Sequence, residues 1–328
     1  MSRPGGWTLA ELVDGVLGAD ARALARAITL VEDGDPLAYE LVRELYPATG
    51  RARSVGMTGP PGVGKSSLIS SLVAHVRGLG ETVGVISVDP SSPLTRGALL
   101  GDRIRLADHF LDPGVFIRSM GTRGHAGGLA EATLQALLLV DASGKRVVFL
   151  ETVGTGQNEV GVASIADVVV LVLQPGSGDS VQALKAGIME IPDVIAVNKS
   201  DQAGAETVAA DVKQVLALGG GEPPPVVLTD ALTGAGVADL WTEIGARAAA
   251  LEQEGTLAER RRKNVAAEVF AVASARARRR LEEAVRSDPE LARVLEAVED
   301  RRLDPLTAVR DILERVFHLA DEDRTDTR

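Results

Sequence analysis

The spacing of apolar residues divides the chain into helical ends and a central segment of alternating strands and helices. In residues 8–46 apolar positions recur every three or four residues, which predicts amphipathic helices. From about residue 53 to 237 the pattern changes to short apolar runs, rich in β-branched residues, with helix-like segments between them. The runs that predict strands are Val55–Met57, Val83–Val88, Val147–Leu150, Val168–Leu173, Val194–Val197 and Val226–Leu228. From Leu240 onward the spacing is helical again.

This alternation predicts the fold class. Strands that are joined through helices run parallel, and the helices then cover both faces of the sheet. We therefore predict an α/β fold with a mainly parallel sheet and three regions. These are an N-terminal helical extension (1–47), a central α/β domain (48–248) and a C-terminal helical arm (249–328).

Composition narrows the possible partners and compartments. The 328 residues are 45% hydrophobic and 25% charged, as in soluble globular proteins, and only 3% aromatic, which argues against a base-stacking surface. A formal charge of −11 disfavours nucleic acids and anionic membranes as partners. The absence of cysteine excludes disulfides, cysteine-ligated metals and thiol catalysis. With no apolar signal segment or membrane-length run, we expect a cytoplasmic protein.

The C-terminal region carries two basic runs, Arg260–Lys263 and Arg276–Arg280, with glutamates interspersed among them. Mixed charges on a long helix are typical of a solvated face held by ion pairs. We therefore expect these runs to form such a face and not a surface that binds nucleic acid.

The strongest chemical signal is the loop Gly59–Ser66, Gly-Pro-Pro-Gly-Val-Gly-Lys-Ser, which matches the G-x-x-x-x-G-K-[S/T] pattern between a predicted strand and a helix. Glycines allow the backbone N–H groups of such a P-loop to surround phosphates. We expect Lys65 to contact the outer phosphates and serve catalysis, and the Ser66 hydroxyl to ligate Mg²⁺. The predicted phosphate-binding residues are Gly59, Pro60, Pro61, Gly62, Val63, Gly64, Lys65, Ser66 and Ser67.

A second motif, Asn198-Lys199-Ser200-Asp201, follows the predicted strand Val194–Val197. Open α/β sheets bind ligands at the carboxyl ends of their strands. The Asp201 carboxylate can accept hydrogen bonds from N1–H and the 2-amino group of guanine, whereas adenine would leave it unpaired. Asn198, Lys199 and Asp201 therefore favour GTP over ATP.

A third segment, Asp230-Ala231-Leu232, comes shortly after the last predicted strand. GTPases often carry Ser-Ala-x at this place and contact the base through backbone N–H groups. Asp replaces Ser here, and the expected backbone role of these three residues survives that change.

Two carboxylates close predicted strands near the phosphate cradle: Asp89 and Glu151. Mg²⁺ takes one or two carboxylates together with phosphate and hydroxyl oxygens, so we expect both residues at the metal. Glu151-Thr-Val-Gly154 resembles the D-x-x-G switch of GTPases with a longer acid, which favours a water-bridged contact. Gly154 would then donate its N–H group to the γ-phosphate.

The residue after Gly154 is threonine, where Ras-like GTPases hold their water-positioning glutamine. We therefore expect slow intrinsic hydrolysis that a partner accelerates. The candidates for stabilising the transition state or positioning water are Arg105, Lys185 and Gln157.

Four segments together resemble the MeaB/ArgK family of GTPases: Pro90–Pro93, Glu151–Gln157, Pro175–Asp179 and Asn198–Asp201. The resemblance implies a P-loop NTPase fold of the signal-recognition and metal-insertase GTPase branch, with a C-terminal arm that forms a homodimer. It places the magnesium-site acids at Asp89, Asp102 and Glu151. It also implies a further switch over residues 174–185 that contacts a partner.

The family resemblance implies a function as a GTP-dependent chaperone of an adenosylcobalamin-dependent acyl-CoA mutase, such as methylmalonyl-CoA mutase. GTP, GDP and Mg²⁺ are the implied ligands. Three alternatives stay open: a kinase for amino-acid transport components, a metal-insertion GTPase, and a scaffold that binds nucleotide without hydrolysis. The Asn-Lys-x-Asp motif argues against the kinase, and four scattered histidines without cysteine argue against metal insertion.

Overall fold

The computed structural model describes residues 7–89, 106–121, 128–152, 165–176, 192–217 and 222–317. Within these residues one sheet of seven strands forms the centre of the fold. The strands are β1 (Arg53–Thr58), β2 (Val83–Asp89), β3 (Val115–Gly121), β4 (Val147–Thr152), β5 (Val168–Leu173), β6 (Val194–Val197) and β7 (Val226–Leu228).

The sheet has the order β3-β2-β4-β1-β5-β6-β7, and every neighbouring pair is parallel. This confirms the predicted α/β fold with a parallel sheet. All six predicted strands are present, and β3 is an addition at one edge. Its apolar alternation is interrupted by Arg118 and Ser119, so the sequence pattern did not identify it.

Helices precede, connect and follow the strands. Three precede β1: α1 (Leu9–Leu17), α2 (Ala21–Glu32) and α3 (Pro36–Leu45). Those between and directly after the strands are α4 (Lys65–Gly78), α5 (Gly128–Ala142), α6 (Ala205–Leu216) and α7 (Val237–Gln253). The remaining ones are α8 (Thr256–Ser287), α9 (Pro289–Glu299) and α10 (Pro305–Phe317).

Side-chain caps fix the starts of the first helices. At α1, Thr8 and Glu11 form a reciprocal capping box. Asp20 accepts the N–H groups of Arg22 and Ala23 at the start of α2, and Asp35 caps α3, which has proline at its first position. These caps explain why the N-terminal residues form three short helices and not one long helix.

The two largest hydrophobic cores lie on opposite faces of the sheet. Helices α1, α2, α3 and α5 cover one face, where Leu12, Ile28 and Leu139 are fully buried. Helices α4 and α7 cover the other face, with Leu68 and Ile244 among the fully buried residues. The six apolar residues of β5 are all buried, as expected for a central strand of a parallel sheet.

Contacts along the chain separate two compact units, Met1–Glu268 and Val269–Arg328. The sheet and its helices belong to the first. In the second, α9 and α10 bury Leu291, Ala308 and Val316, while Leu306 and Val309 stay exposed. The boundaries predicted at residues 47 and 248 stay predictions. No helix among the described residues combines the length and apolar character that crossing a bilayer requires.

The start of α8 is tied to the amino ends of two central strands by charged hydrogen bonds. Arg261 forms a two-pronged ion pair with Asp167, just before β5, through contacts of 2.7 Å and 2.8 Å. Arg260 does the same with Asp193, just before β6, at 2.6 Å and 3.0 Å. We call these four residues the arginine clamp. Their two carboxylates are buried, with side chains 5% and 3% exposed.

The arginine clamp corrects one expectation from the sequence. A solvated, ion-paired face is confirmed by the exposed pairs Lys263–Glu259 and Arg278–Glu282. The expectation is wrong for Arg260 and Arg261, whose partners are the buried carboxylates of Asp193 and Asp167, just before β6 and β5. The guanidinium of Arg261 also donates to the carbonyls of Gly50 and Ala52.

Candidate functional site

The P-loop connects β1 to α4, and its glycines are required by the geometry. Gly59 has φ 135°, and a Cβ there would lie 2.2 Å from the Val172 carbonyl oxygen. Gly64, the residue before α4, has φ 92°, and a Cβ there would lie 2.5 Å from the Asn198 side-chain amide. Both values of φ lie in the left-handed region that other residues rarely adopt. The loop is therefore pressed against β5 on one side and against the Asn-Lys-x-Asp motif on the other.

Lys65 begins α4 and its side chain folds back over the loop. The residue is only 6% exposed, and its ammonium group donates to the carbonyl oxygens of Gly59 at 2.6 Å and Pro60 at 3.0 Å. The ammonium group and the N-terminus of a 14-residue helix both favour negative charge at this point. This combination suits a phosphate group.

A hydroxyl and a buried carboxylate lie next to the start of α4. Ser66 donates from Oγ to Glu151 Oε1 at 2.6 Å. Ser87 donates to the other carboxylate oxygen at 3.4 Å, because it lies directly beside Glu151 in the β2–β4 register. Glu151 is 2% exposed. These oxygen groups fit the hard, oxygen-preferring Mg²⁺ ion. Within the part of the chain that the structure describes, no group of three or more acidic or histidine side chains is placed so that it could hold a metal ion.

The Asn-Lys-x-Asp motif and the segment 230–232 lie against the P-loop. Together they line a pocket of about 280 Å³, formed by Gly62, Gly64, Ser67, Asn198, Lys199, Asp201, Gln202, Asp230, Ala231 and Leu232. We call this the base pocket. It brings together residues from three separate predicted motifs.

Asn198 holds the walls of the base pocket together. It is 1% exposed, and its amide donates to the Val63 carbonyl oxygen at 2.9 Å. Its side-chain oxygen accepts the Ala231 N–H group at 3.1 Å. Lys199 has φ 58° and donates from its ammonium group to the Gly62 carbonyl oxygen at 2.9 Å. Asp201 is exposed at the pocket, where its carboxylate is open to a ligand.

The Asp230 carboxylate organises the third wall, which we call the base loop (residues 230–236). It accepts the Leu232 N–H group at 2.9 Å and the Thr233 hydroxyl at 2.6 Å. These hydrogen bonds, that of Thr233 first, lower the pKa of Asp230. The sequence suggested only a backbone role here and did not identify the contribution of the Asp230 side chain or of Thr233.

A comparison with protein-family models matches residues 24–286 to the family described as methylmalonyl-CoA mutase-associated GTPase MeaB. The match covers most of the chain, including the whole base pocket. The chain belongs to the MeaB family of GTPases. This confirms the resemblance that four sequence segments indicated.

Relatives of this MeaB-family chain match between three quarters and nearly all of its length. A Pyrococcus abyssi protein that carries the name GTPase is 45% identical over 313 residues, 94% of this chain and 96% of the relative. The Escherichia coli GTPase ArgK is 36% identical over 261 residues, 76% and 79% of the two chains. A crystal structure of a LAO/AO transport system kinase superposes with a TM-score of 0.71 at 26% identity, covering 94% of this chain and 98% of that one.

Several site residues predicted for this MeaB-family chain lie outside the described residues. They are Asp102, Arg105, Gly154, Gln157 and Lys185. Asp89 ends β2, as predicted. Its side chain lies outside the described part of the structure. The roles of these residues stay predictions.

Proposed function

We propose that this protein binds GTP and GDP in the base pocket and phosphate cradle, and hydrolyses GTP with Mg²⁺. We further propose that it acts as a chaperone of a cobalamin-dependent acyl-CoA mutase such as methylmalonyl-CoA mutase. The observation that supports nucleotide binding most strongly is the base pocket itself, in which the P-loop and Asn198–Asp201 form adjoining walls.

The base pocket at one end of the site and the phosphate cradle at the other have the chemistry that a guanine nucleotide requires. Asp201 would accept N1–H and the 2-amino group of guanine, which together exclude adenine. In the phosphate cradle, the Lys65 ammonium group would donate to phosphate oxygens in place of the carbonyl oxygens of Gly59 and Pro60. Ser66 would ligate Mg²⁺ with the Glu151 carboxylate one hydrogen bond behind it. The bound ion would neutralise charge that develops on the transferred phosphoryl group.

Hydrolysis by the protein alone should be slow and should accelerate when a partner binds. The motif that begins at Glu151 has threonine where Ras-like enzymes have glutamine. Arg105, Lys185 and Gln157 are the groups we propose for charge stabilisation or water positioning. In this proposal residues 174–185 contact the mutase, and residues 249–328 form the arm of a homodimer.

Support for the mutase as partner comes from the name of the matching family. We propose that the nucleotide state controls delivery of adenosylcobalamin to the mutase and protects or reactivates that enzyme. For this, GTP and GDP need only favour different conformations, since a ligand shifts an equilibrium by its differential affinity.

Two measurements test the proposal. Calorimetry should show micromolar or tighter binding of GTP and GDP and binding of ATP at least about a hundredfold weaker. Single-turnover hydrolysis should be slow for the isolated protein and faster with the cobalamin-dependent mutase from the same organism. Equal affinity for ATP and GTP would refute the base assignment. An unchanged rate with the mutase, or a fast rate without it, would refute the chaperone assignment.

A second candidate is phosphate transfer to an amino-acid transport component, because the structurally similar protein is named a transport system kinase. GTP labelled at the γ-phosphate distinguishes the two functions. A GTPase releases the label as inorganic phosphate, whereas a kinase leaves it on a protein acceptor. We expect inorganic phosphate only, and label retained on a transport component would favour the kinase.

A further inference from the structure

A hydrogen bond joins the phosphate-side helix to the base loop. Ser71, on α4 less than two turns after Lys65, donates from its hydroxyl to the Ala231 carbonyl oxygen at 2.6 Å. The two residues are 160 positions apart in sequence. The same hydroxyl lies 3.3 Å from the Ser67 carbonyl oxygen of its own helix, a longer contact. The bond to Ala231 is therefore the stronger one by its length.

The backbone of Ala231 is held on both of its polar groups. Ser71 donates to its carbonyl oxygen, and its N–H group donates to the Asn198 side chain at 3.1 Å. One partner belongs to the helix that begins at the P-loop and the other to the Asn-Lys-x-Asp motif. Ala231 thereby fixes the base loop against both other walls of the base pocket.

The internal shape of the base loop does not depend on Ser71. Asp230 holds Leu232 and Thr233 through its carboxylate, and the Asp230 backbone exchanges hydrogen bonds with Gly234 and Ala235. Ser71 is also not among the residues that line the base pocket in the described part of the chain. Its hydroxyl therefore determines where the loop lies and leaves the fold of the loop to other groups.

We propose that Ser71 is a positioning residue for guanine recognition, which sets the base loop at the correct distance from the phosphate cradle. This inference rests on the proposed binding of guanine nucleotides. Loss of the hydroxyl lets Ala231 and Leu232 move away from the base while the P-loop keeps its grip on phosphate. The base-dependent part of affinity then falls, and the phosphate-dependent part does not.

The test measures dissociation constants of the full-length protein for fluorescent GDP, and for inorganic tripolyphosphate by competition. Ser71→Ala should weaken GDP binding about two- to tenfold, the range expected for one hydrogen bond between neutral groups, and leave tripolyphosphate binding unchanged. Ser71→Thr retains a hydroxyl and should bind GDP within about twofold of the wild type. Ser70→Ala is the matched control, because Ser70 lies on the same helix as Ser71 but its hydroxyl contacts His109 and not the base loop.

Each other result overturns the inference. Unchanged GDP affinity in Ser71→Ala would show that the hydroxyl does not position the loop. An equal loss for GDP and tripolyphosphate would show that Ser71 supports α4 as a whole. An equal loss in Ser71→Ala and Ser71→Thr, or in Ser70→Ala, would show that the bond to Ala231 is not the cause. Absence of GDP binding in the wild type would instead refute the proposed function.

Discussion

Replacing Arg261 by alanine tests the arginine clamp most directly. The substitution removes both contacts to Asp167 and the hydrogen bonds to the carbonyls of Gly50 and Ala52. The Asp167 carboxylate would stay buried without its counterion. It would retain only the Ser54 N–H group, at 2.9 Å, of the hydrogen bonds that the structure shows to its side chain.

The structure sets the expected size of the effect. Removing one partner of a buried ion pair costs about 3–5 kcal/mol. The Arg261 side chain is 37% exposed, so water already screens part of the interaction and can solvate the remaining carboxylate. We therefore expect Arg261→Ala to lower the free energy of unfolding of the sheet-containing unit by about 2–4 kcal/mol.

Urea unfolding followed by tryptophan fluorescence measures this change. Trp241 is a suitable probe because it packs on Phe149 of the central sheet, with ring centroids 6.3 Å apart. Arg262→Ala is the matched control, since this arginine is exposed on the same helix, and its loss should be within about 0.5 kcal/mol of zero.

A double-mutant cycle separates the ion pair from general helix effects. Asp167→Asn removes the buried charge, so Arg261→Ala should cost at least about 1 kcal/mol less in that background than in the wild type. A loss below about 0.5 kcal/mol for Arg261→Ala alone, or equal losses in the two backgrounds, would refute the reasoning.

Four further predictions concern the site. Lys65→Ala should abolish GTP hydrolysis in a phosphate-release assay; residual turnover near the wild-type rate would remove this lysine from the mechanism. Asp201→Asn should weaken GTP and strengthen xanthosine triphosphate in competition binding, and an unchanged guanine preference would contradict the assignment of base recognition to this carboxylate. Gly64→Ala should destabilise the P-loop by about 1–2 kcal/mol through its left-handed φ and weaken GDP binding; wild-type affinity would show that the loop tolerates a Cβ. The pKa of Asp230 is lowered in the folded protein, so its ionised form stabilises the fold above the ordinary aspartate pKa of about 4. This contribution is lost as pH falls through the lowered value, so the stability difference between wild type and Asp230→Asn should be largest near pH 7 and shrink in acid; a constant difference would contradict it.

The features that the sequence predicted well depend on contiguous residues. The P-loop and Asn198–Asp201 are short motifs whose backbone geometry is determined locally, and the structure places both at the carboxyl ends of strands. The parallel sheet was also predictable, because fully buried strands such as β5 produce uninterrupted apolar runs.

The features that the sequence did not predict depend on distant partners. Arg260 and Arg261 pair with carboxylates 67 and 94 residues away, so charge spacing along the helix could not distinguish them from solvated neighbours. Arg118 interrupts the apolar alternation of β3, which is why the sequence pattern did not predict that strand. Its partner is Glu32 on α2, 86 residues away in sequence. The Ser71–Ala231 bond had no signal at all in the sequence.

The arginine clamp also bears on how the chain is made and how it can be shortened. Asp167 and Asp193 are synthesised long before Arg260 and Arg261. Asp193 also pairs with Arg247 on α7, so Asp167 is the buried carboxylate whose ion-pair partner is missing from a nascent sheet until translation passes Arg261. A fragment that ends at residue 248 would keep every strand and the entire base pocket, yet retain that defect permanently. The shortest stable fragment of the sheet-containing unit should therefore extend beyond Arg261 into α8.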